Sequence, residues 1–160
     1  MRKSLVVLLL IIHSLLEVVF AQNGKSVVVD NVAPGDILIN EVLFNPYDDG
    51  EDFVELYNDT DDTIMLNNIR LATWDADLQK LKTMVALPDS VFLLPQDYVV
   101  LTIDADAIYR YYTVRYRDKV VVMKKMPAYS NHQGVVIVSL KDSTIIDRFD
   151  YTEELHYRWL

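Results

Sequence analysis

Eight carboxylates fall in the fifteen residues from Asp48 to Asp62: Asp48, Asp49, Glu51, Asp52, Glu55, Asp59, Asp61 and Asp62, with no Lys or Arg among them. Several clustered oxygen ligands are what a calcium ion requires. The EF-hand loop does not fit, because Gly50 as the sixth loop residue would put Asn45, Tyr47 and Leu56 at positions 1, 3 and 12. The plainer reading is two solvated turns built from turn-forming Asp and Asn. It outweighs the metal reading, so acidic turns 47–62 assign no metal ligand, and calcium stays an alternative. Glu55 lies in a strand pattern and reads as structural.

A second run joins cations to aromatic rings. Arg110, Arg115, Arg117, Lys119, Lys124 and Lys125 are offset only by Asp118, and Tyr109, Tyr111, Tyr112 and Tyr116 interleave. Residues 109–119 would suit single-stranded nucleic acid or an acidic glycan. An amphipathic helix with its Tyr stripe packed and its cations wet gives the same spacing, and that reading is preferred. The acidic and basic runs predict two ends of opposite charge, a device for orienting the domain or for head-to-tail contact.

Catalytic machinery is hard to assemble. After residue 21 the chain has only His132 and His156. Ser130 lies two residues from His132, in a turn-like stretch. No Gly-x-Ser-x-Gly elbow, His-Glu-x-x-His pair or Gly-rich phosphate loop occurs. Glu55 and Asp147 are one pair of carboxylates that could flank a substrate, although Asp147 reads as an outward strand residue. No catalytic residue and no cofactor is assigned, and an extracellular hydrolase is the weakest alternative. Asn58-Asp-Thr60 matches an N-glycosylation acceptor and reads as a turn Asn. Trp74 reads as core. Trp159, near the chain end, is a possible sugar platform.

The elements that must position these groups are short strands. Ile37–Phe44, Phe53–Asn58, 63–66, 69–74, 81–87, 91–94, 98–103, 120–123, 135–140 and 144–151 carry strand-like patterns. In Phe53–Asn58, Phe53, Glu55 and Tyr57 face one way and Val54 and Leu56 the other. Pro88 and Pro95 belong at strand ends or edges. Val27–Val29 reads as an edge strand in a lead-in over 22–35. One stretch, 104–112, has helical spacing, with Asp104 as N-cap and Asp106 in the first turn. Many short strands with frequent turns predict an all-β sandwich or barrel.

Arg2 and Lys3, an uncharged run from Ser4 to Leu16, and Val19 with Ala21 form a secretory leader over 1–21, cut before Gln22. Glu17 and His13 interrupt the run, so a stable membrane span after cleavage is not expected. The remaining length suits a single domain over 36–160 behind the lead-in. The chain has no cysteine, which excludes thiol catalysis, disulfides and Cys-rich metal sites. Its net charge is −9, and losing Arg2, Lys3 and Glu17 with the leader makes it −10. Such a balance disfavours nucleic acid as a partner.

Ordered pieces carry a family resemblance over roughly 35–156. They are Ile39-Asn-Glu-Val42, Asn45-Pro46, Phe53-Val-Glu-Leu-Tyr-Asn58, Ile64 with Leu66, Leu94-Pro95 before Tyr98-Val-Val-Leu101, Met126-Pro127, Asn131 with Gly134, Ile146-Asp147, and Tyr151 with His156. Together they resemble the lamin tail domain of the bacterial secreted type. The resemblance implies an immunoglobulin-like β-sandwich and a non-enzymatic interaction or adhesion role at the cell surface or in secreted form. It also implies a place as accessory domain of a longer exported protein. Gly134 is expected to supply a positive φ at the start of a strand. Related domains continue with a further strand after the His-containing segment. The sandwich is therefore expected to lack its last strand. Its open edge would invite self-association or a partner, unless the sequence is a piece of a longer reading frame. The partner class expected is a protein or a cell-surface glycan.

Overall fold

The computed structural model describes residues 27–155. The leader, the start of the lead-in, His156, Trp159 and the chain end at which the last strand is expected to be missing lie outside that range. Eleven strands alternate along the described chain with one helix and three short 3-10 turns. The strands are β1 (Val28–Val29), β2 (Ile37–Leu43), β3 (Phe53–Asn58), β4 (Thr63–Met65), β5 (Ile69–Asp75), β6 (Lys80–Ala86), β7 (Phe92–Leu93), β8 (Tyr98–Thr102), β9 (Val120–Val122), β10 (Gln133–Leu140) and β11 (Ile145–Thr152). The helix α1 spans Ala105–Tyr111.

Two four-stranded sheets, ordered β2-β3-β8-β9 and β11-β10-β5-β6, form an immunoglobulin-like sandwich. Their inward rows meet in one core. Ile37, Val54, Leu56, Val99 and Leu101 come from the first sheet, and Ile69, Leu71, Val85, Val136, Val138 and Ile146 from the second. Each fully buried aliphatic of this size contributes about 1.5–3 kcal/mol relative to exposure. A small third sheet, β1-β4-β7, adds to the sandwich, so Val28–Val29 of the lead-in is a strand after all, paired in parallel with β4.

Strand β3 is central to the first sheet, pairing antiparallel with β2 and β8. Its alternation is as the sequence predicts, with Val54, Leu56 and Asn58 buried and Glu55 and Tyr57 half-buried. The inward row ends in an amide. The Asn58 side chain donates to the carbonyls of Asp62 (2.8 Å), Leu93 (3.0 Å) and Leu94 (3.0 Å). Its oxygen accepts from the Thr60 amide (3.0 Å) and hydroxyl (2.7 Å). The turn after β3 and the β7 region are thereby tied to one fully buried side chain.

Gly134 corrects an expectation. It has no positive φ, and Gly35 is the glycine that does, at +94°. Gly134 sits inside β10 opposite Tyr151. A Cβ there would lie 2.5 Å from the Tyr151 hydroxyl. The Tyr151 ring cannot easily yield, since it stacks on Phe44 at 4.1 Å and its hydroxyl donates to the Ser130 carbonyl at 2.8 Å. Close approach, and not turn geometry, requires glycine.

Candidate binding cleft

The route from β8 to β9 builds a roof over the outer face of the first sheet. These neighbours are parallel, with Val100 opposite Val120, so the chain must cross over and return. Asp104 starts the crossover as predicted, its carboxylate accepting from the amides of Asp106 (2.9 Å) and Ala107 (3.2 Å). Ala107 and Ile108 are the buried anchors of α1. The helix ends at Tyr112, whose ring meets Phe53 of β3 edge-on at 6.2 Å. Residues 112–119 then run back to the opposite end of the sheet and close in a 3-10 turn, Arg117–Lys119. Between this return and the sheet lies a cleft of about 470 Å³.

The cleft has an acidic floor and an aromatic wall. Glu41 of β2 and Glu55 of β3 stand directly opposite each other across the strands. Facing like charges destabilise a sheet, yet neither carboxylate has an ion-pair partner among the described residues. Glu55 accepts one hydrogen bond, from the Asn40 amide at 2.7 Å. Partial burial, and then the charge of Glu55, raise Glu41 above the ordinary carboxylate range although the residue keeps contact with solvent. Val100 and Ile108 add apolar surface, and Tyr98, Tyr112 and Tyr116 line the sides. Lys119 lines the cleft too but is bonded to Asp97. At Asp97, burial favours the neutral acid, but the Lys119 bond, the Tyr98 amide and the Lys119 charge outweigh it and lower its pKa. Arg115 lies at the rim, its guanidinium 5.2 Å from the centre of the Tyr116 ring.

Sequence reasoning did not find this cleft. It treated the 109–119 run as a packed Tyr stripe, but Tyr111, Tyr112 and Tyr116 are exposed. The helix is held by Ala107 and Ile108, its buried residues. Nor do the charged runs form two opposite ends. Asp49 of the first acidic turn binds Arg110 at 2.7 Å and the Tyr111 hydroxyl, and Tyr47 stacks on Tyr111 at 4.7 Å. Asp97 holds Lys119 at the far end of the same run. Acidic residues therefore pin the basic–aromatic crossover at both ends. The eight carboxylates of 48–62 are dispersed among a turn, the cleft floor and a second turn, and no three metal-ligating side chains converge among the described residues.

The motif pieces now have physical jobs: Asn58 as buried hub, Gly134 as the seat of Tyr151, and β2–β3 as the paired opening strands. A family model, the lamin tail domain, matches residues 31–153. The chain belongs to the lamin tail domain family. No curated protein matches it.

Other candidate groups of this lamin tail domain fall away from the cleft. His132 pairs with Glu153 at 2.9 Å with the two side chains 79% and 66% exposed, and the Ser130 hydroxyl accepts from the His132 backbone amide at 3.2 Å. Asp147 is not an outward residue; its carboxylate accepts the Ile39 amide at 2.7 Å, tying β11 to β2. The reason is the bulge between β10 and β11, where the register skips Ile146 and sets Asp147 opposite the buried Val138. Glu55 and Asp147 therefore hold separate duties and do not flank a common substrate. Trp74 is half-buried, not core, with Arg148 over its ring at 4.9 Å. Asn58 is buried with both ends of its amide engaged, so the folded lamin tail domain offers no glycan acceptor there.

Proposed function

We propose that this lamin tail domain is an exported, non-enzymatic interaction module that holds its partner in the cleft between the β2-β3-β8 face and the 112–119 return. The cleft carries this reading. Three partly exposed tyrosine rings surround an apolar patch and two unpaired carboxylates, a mixture typical of a recognition site. Catalysis has little support, because the cleft contains no histidine and no activated nucleophile. Export is supported by the Arg2-Lys3 start, the apolar run and Ala21. A glycan held on the Tyr/Arg face 109–119 is a second reading, since Tyr111 and Arg117 are both exposed.

The test has two parts. Expression of the full chain in a secreting host should release a product whose mass begins at Gln22; a retained, uncut chain overturns export. Peptide and glycan arrays probed with the protein and with a Tyr112→Ala/Tyr116→Ala variant should give binding that the variant loses. Binding that survives in the variant places the site elsewhere. Turnover of an array compound would make the protein an enzyme.

A further inference from the structure

The floor of the cleft has a specific electrostatic defect. Glu41, exposed, and Glu55, half-buried, face each other in the lining of the cleft, and neither has an ion-pair partner among the described residues. Two of the three cations on this crossover nearest the cleft are already paired. Lys119 is spent on Asp97, and Arg110 on Asp49. Arg115 stacks on Tyr116 at the rim. The ligand that would relieve the floor carries its own positive charge.

The surroundings narrow the shape of that ligand. The aliphatic stem of a Lys or Arg side chain can lie along Val100 and Ile108 while its charged head reaches the carboxylates. Tyr98, Tyr112 and Tyr116 offer ring faces, which attract a cation electrostatically when it sits within about 6 Å. A guanidinium can also bridge two carboxylates with its planar fork of donors. A neutral sugar could stack on the rings, but it would leave the Glu41–Glu55 repulsion in place.

We propose that the cleft recognises a basic side chain, Arg or Lys, presented by a protein partner, with Glu41 and Glu55 as the charge-reading pair and Tyr98, Tyr112 and Tyr116 as the cage. This rests on the cleft being the interaction site. Arg115 is the internal competitor, a cation at the rim that an incoming side chain must displace or avoid.

The probes are acetyl-Gly-Arg-Gly-amide, its Lys counterpart, its citrulline counterpart and cellohexaose, each titrated into the isotope-labelled full chain and followed by NMR. Citrulline keeps the shape of arginine without its charge. Both cationic peptides should shift the ring resonances of Tyr98, Tyr112 and Tyr116, and the citrulline peptide should bind roughly tenfold more weakly. Glu41→Gln/Glu55→Gln should weaken the arginine peptide by a similar factor with the rest of the spectrum unchanged, and Arg115→Ala should tighten it. Equal binding of arginine and citrulline overturns the inference. So does binding that survives the double Gln variant, or no saturable shift from either cation up to roughly 20 mM. If cellohexaose moves the same rings while the cations do not, the basic-side-chain inference fails and the cleft remains the interaction site. If the array-selected partner of the cleft also leaves the rings unmoved, both readings fail.

Discussion

The two faces of β3 show how one strand divides its labour. Val54 and Leu56 point inward, are fully buried, and end at Asn58, whose amide is satisfied on both sides. Phe53, Glu55 and Tyr57 point outward, and the middle one is a carboxylate facing another carboxylate. The inward row is arranged for stability. The outward row keeps a repulsion that a Gln at either position would remove. The proposed recognition role gives that retained cost a reason.

If that division is right, the largest effect belongs to the inward row. Asn58→Ala removes five hydrogen bonds and strands the carbonyls of Leu93 and Leu94 and the Thr60 amide. Buried groups left unpaired cost about 1–3 kcal/mol each, less whatever water can recover. A loss of about 3 kcal/mol is expected, seen as a midpoint shift in urea unfolding with an unchanged slope. Asn58→Asp should be no better, because a carboxylate cannot donate. A loss below about 1 kcal/mol would mean that water replaces the amide, and the inward row would lose its special standing.

Gly134→Ala probes the core from the opposite sheet. The added methyl must push the Tyr151 ring off Phe44 or bend β10. Overpacking of this sort costs about 1–3 kcal/mol. Thermal unfolding should show it. Tyr151→Phe in the same background should relieve part of the clash, since the nearest atom is the hydroxyl oxygen. Rescue by Phe would establish close approach as the reason for glycine; no rescue would point to backbone strain.

The inward row also has an imperfect end. By alternation Asp52 continues it below Val54, and its charge raises the pKa values of the buried Tyr129 and of Tyr151 after burial has done most of the work. Its own carboxyl is raised to about 6, by burial first and by Glu51 second. A raised acid holds its proton more tightly when folded. The contribution of Asp52 is therefore most favourable below the unfolded value of 3.8 and is lost as pH rises from about 4 through about 6. The carboxyl is only partly enclosed, so the penalty at pH 7 is discounted to about 1 kcal/mol. Asp52→Asn should recover that amount at pH 7 and flatten stability between pH 4 and 6. A steeper profile in the variant would refute the assignment.

Much of this was legible in the chain. The period-two pattern of Phe53–Asn58 predicted both faces of β3, and Asp104 with Asp106 predicted the start of α1. Both signals are local, set by pleating and by helix capping. The cleft was not legible, because its floor and roof meet only when a parallel crossover carries residues 112–119 back over strands more than fifty positions earlier. Asp147 was misread for the same reason: the amide it binds is Ile39, 108 residues away. Gly134 was recognised as necessary but for the wrong cause. Sequence shows that a glycine is present, and only packing shows what comes close to it.

The smallest expected effect belongs to the outward row and is the most telling. Glu41→Gln removes one of the two facing charges without changing shape. Directly opposed like charges cost a fraction of a kcal/mol in a sheet, so a gain of about 0.5 kcal/mol is expected at pH 7. Because Glu41 is raised above its ordinary value of 4.5, the gain should vanish below that pH, where the carboxyl is protonated in both states. Glu55→Gln should gain less, since the Asn40 amide already offsets part of its charge through a hydrogen bond that Gln would weaken. Urea unfolding at pH 4 and pH 7 separates the two variants. Should Glu41→Gln destabilise at both pH values, the carboxylate has a structural partner, and the contrast between the two faces of β3 would have to be rebuilt around that contact.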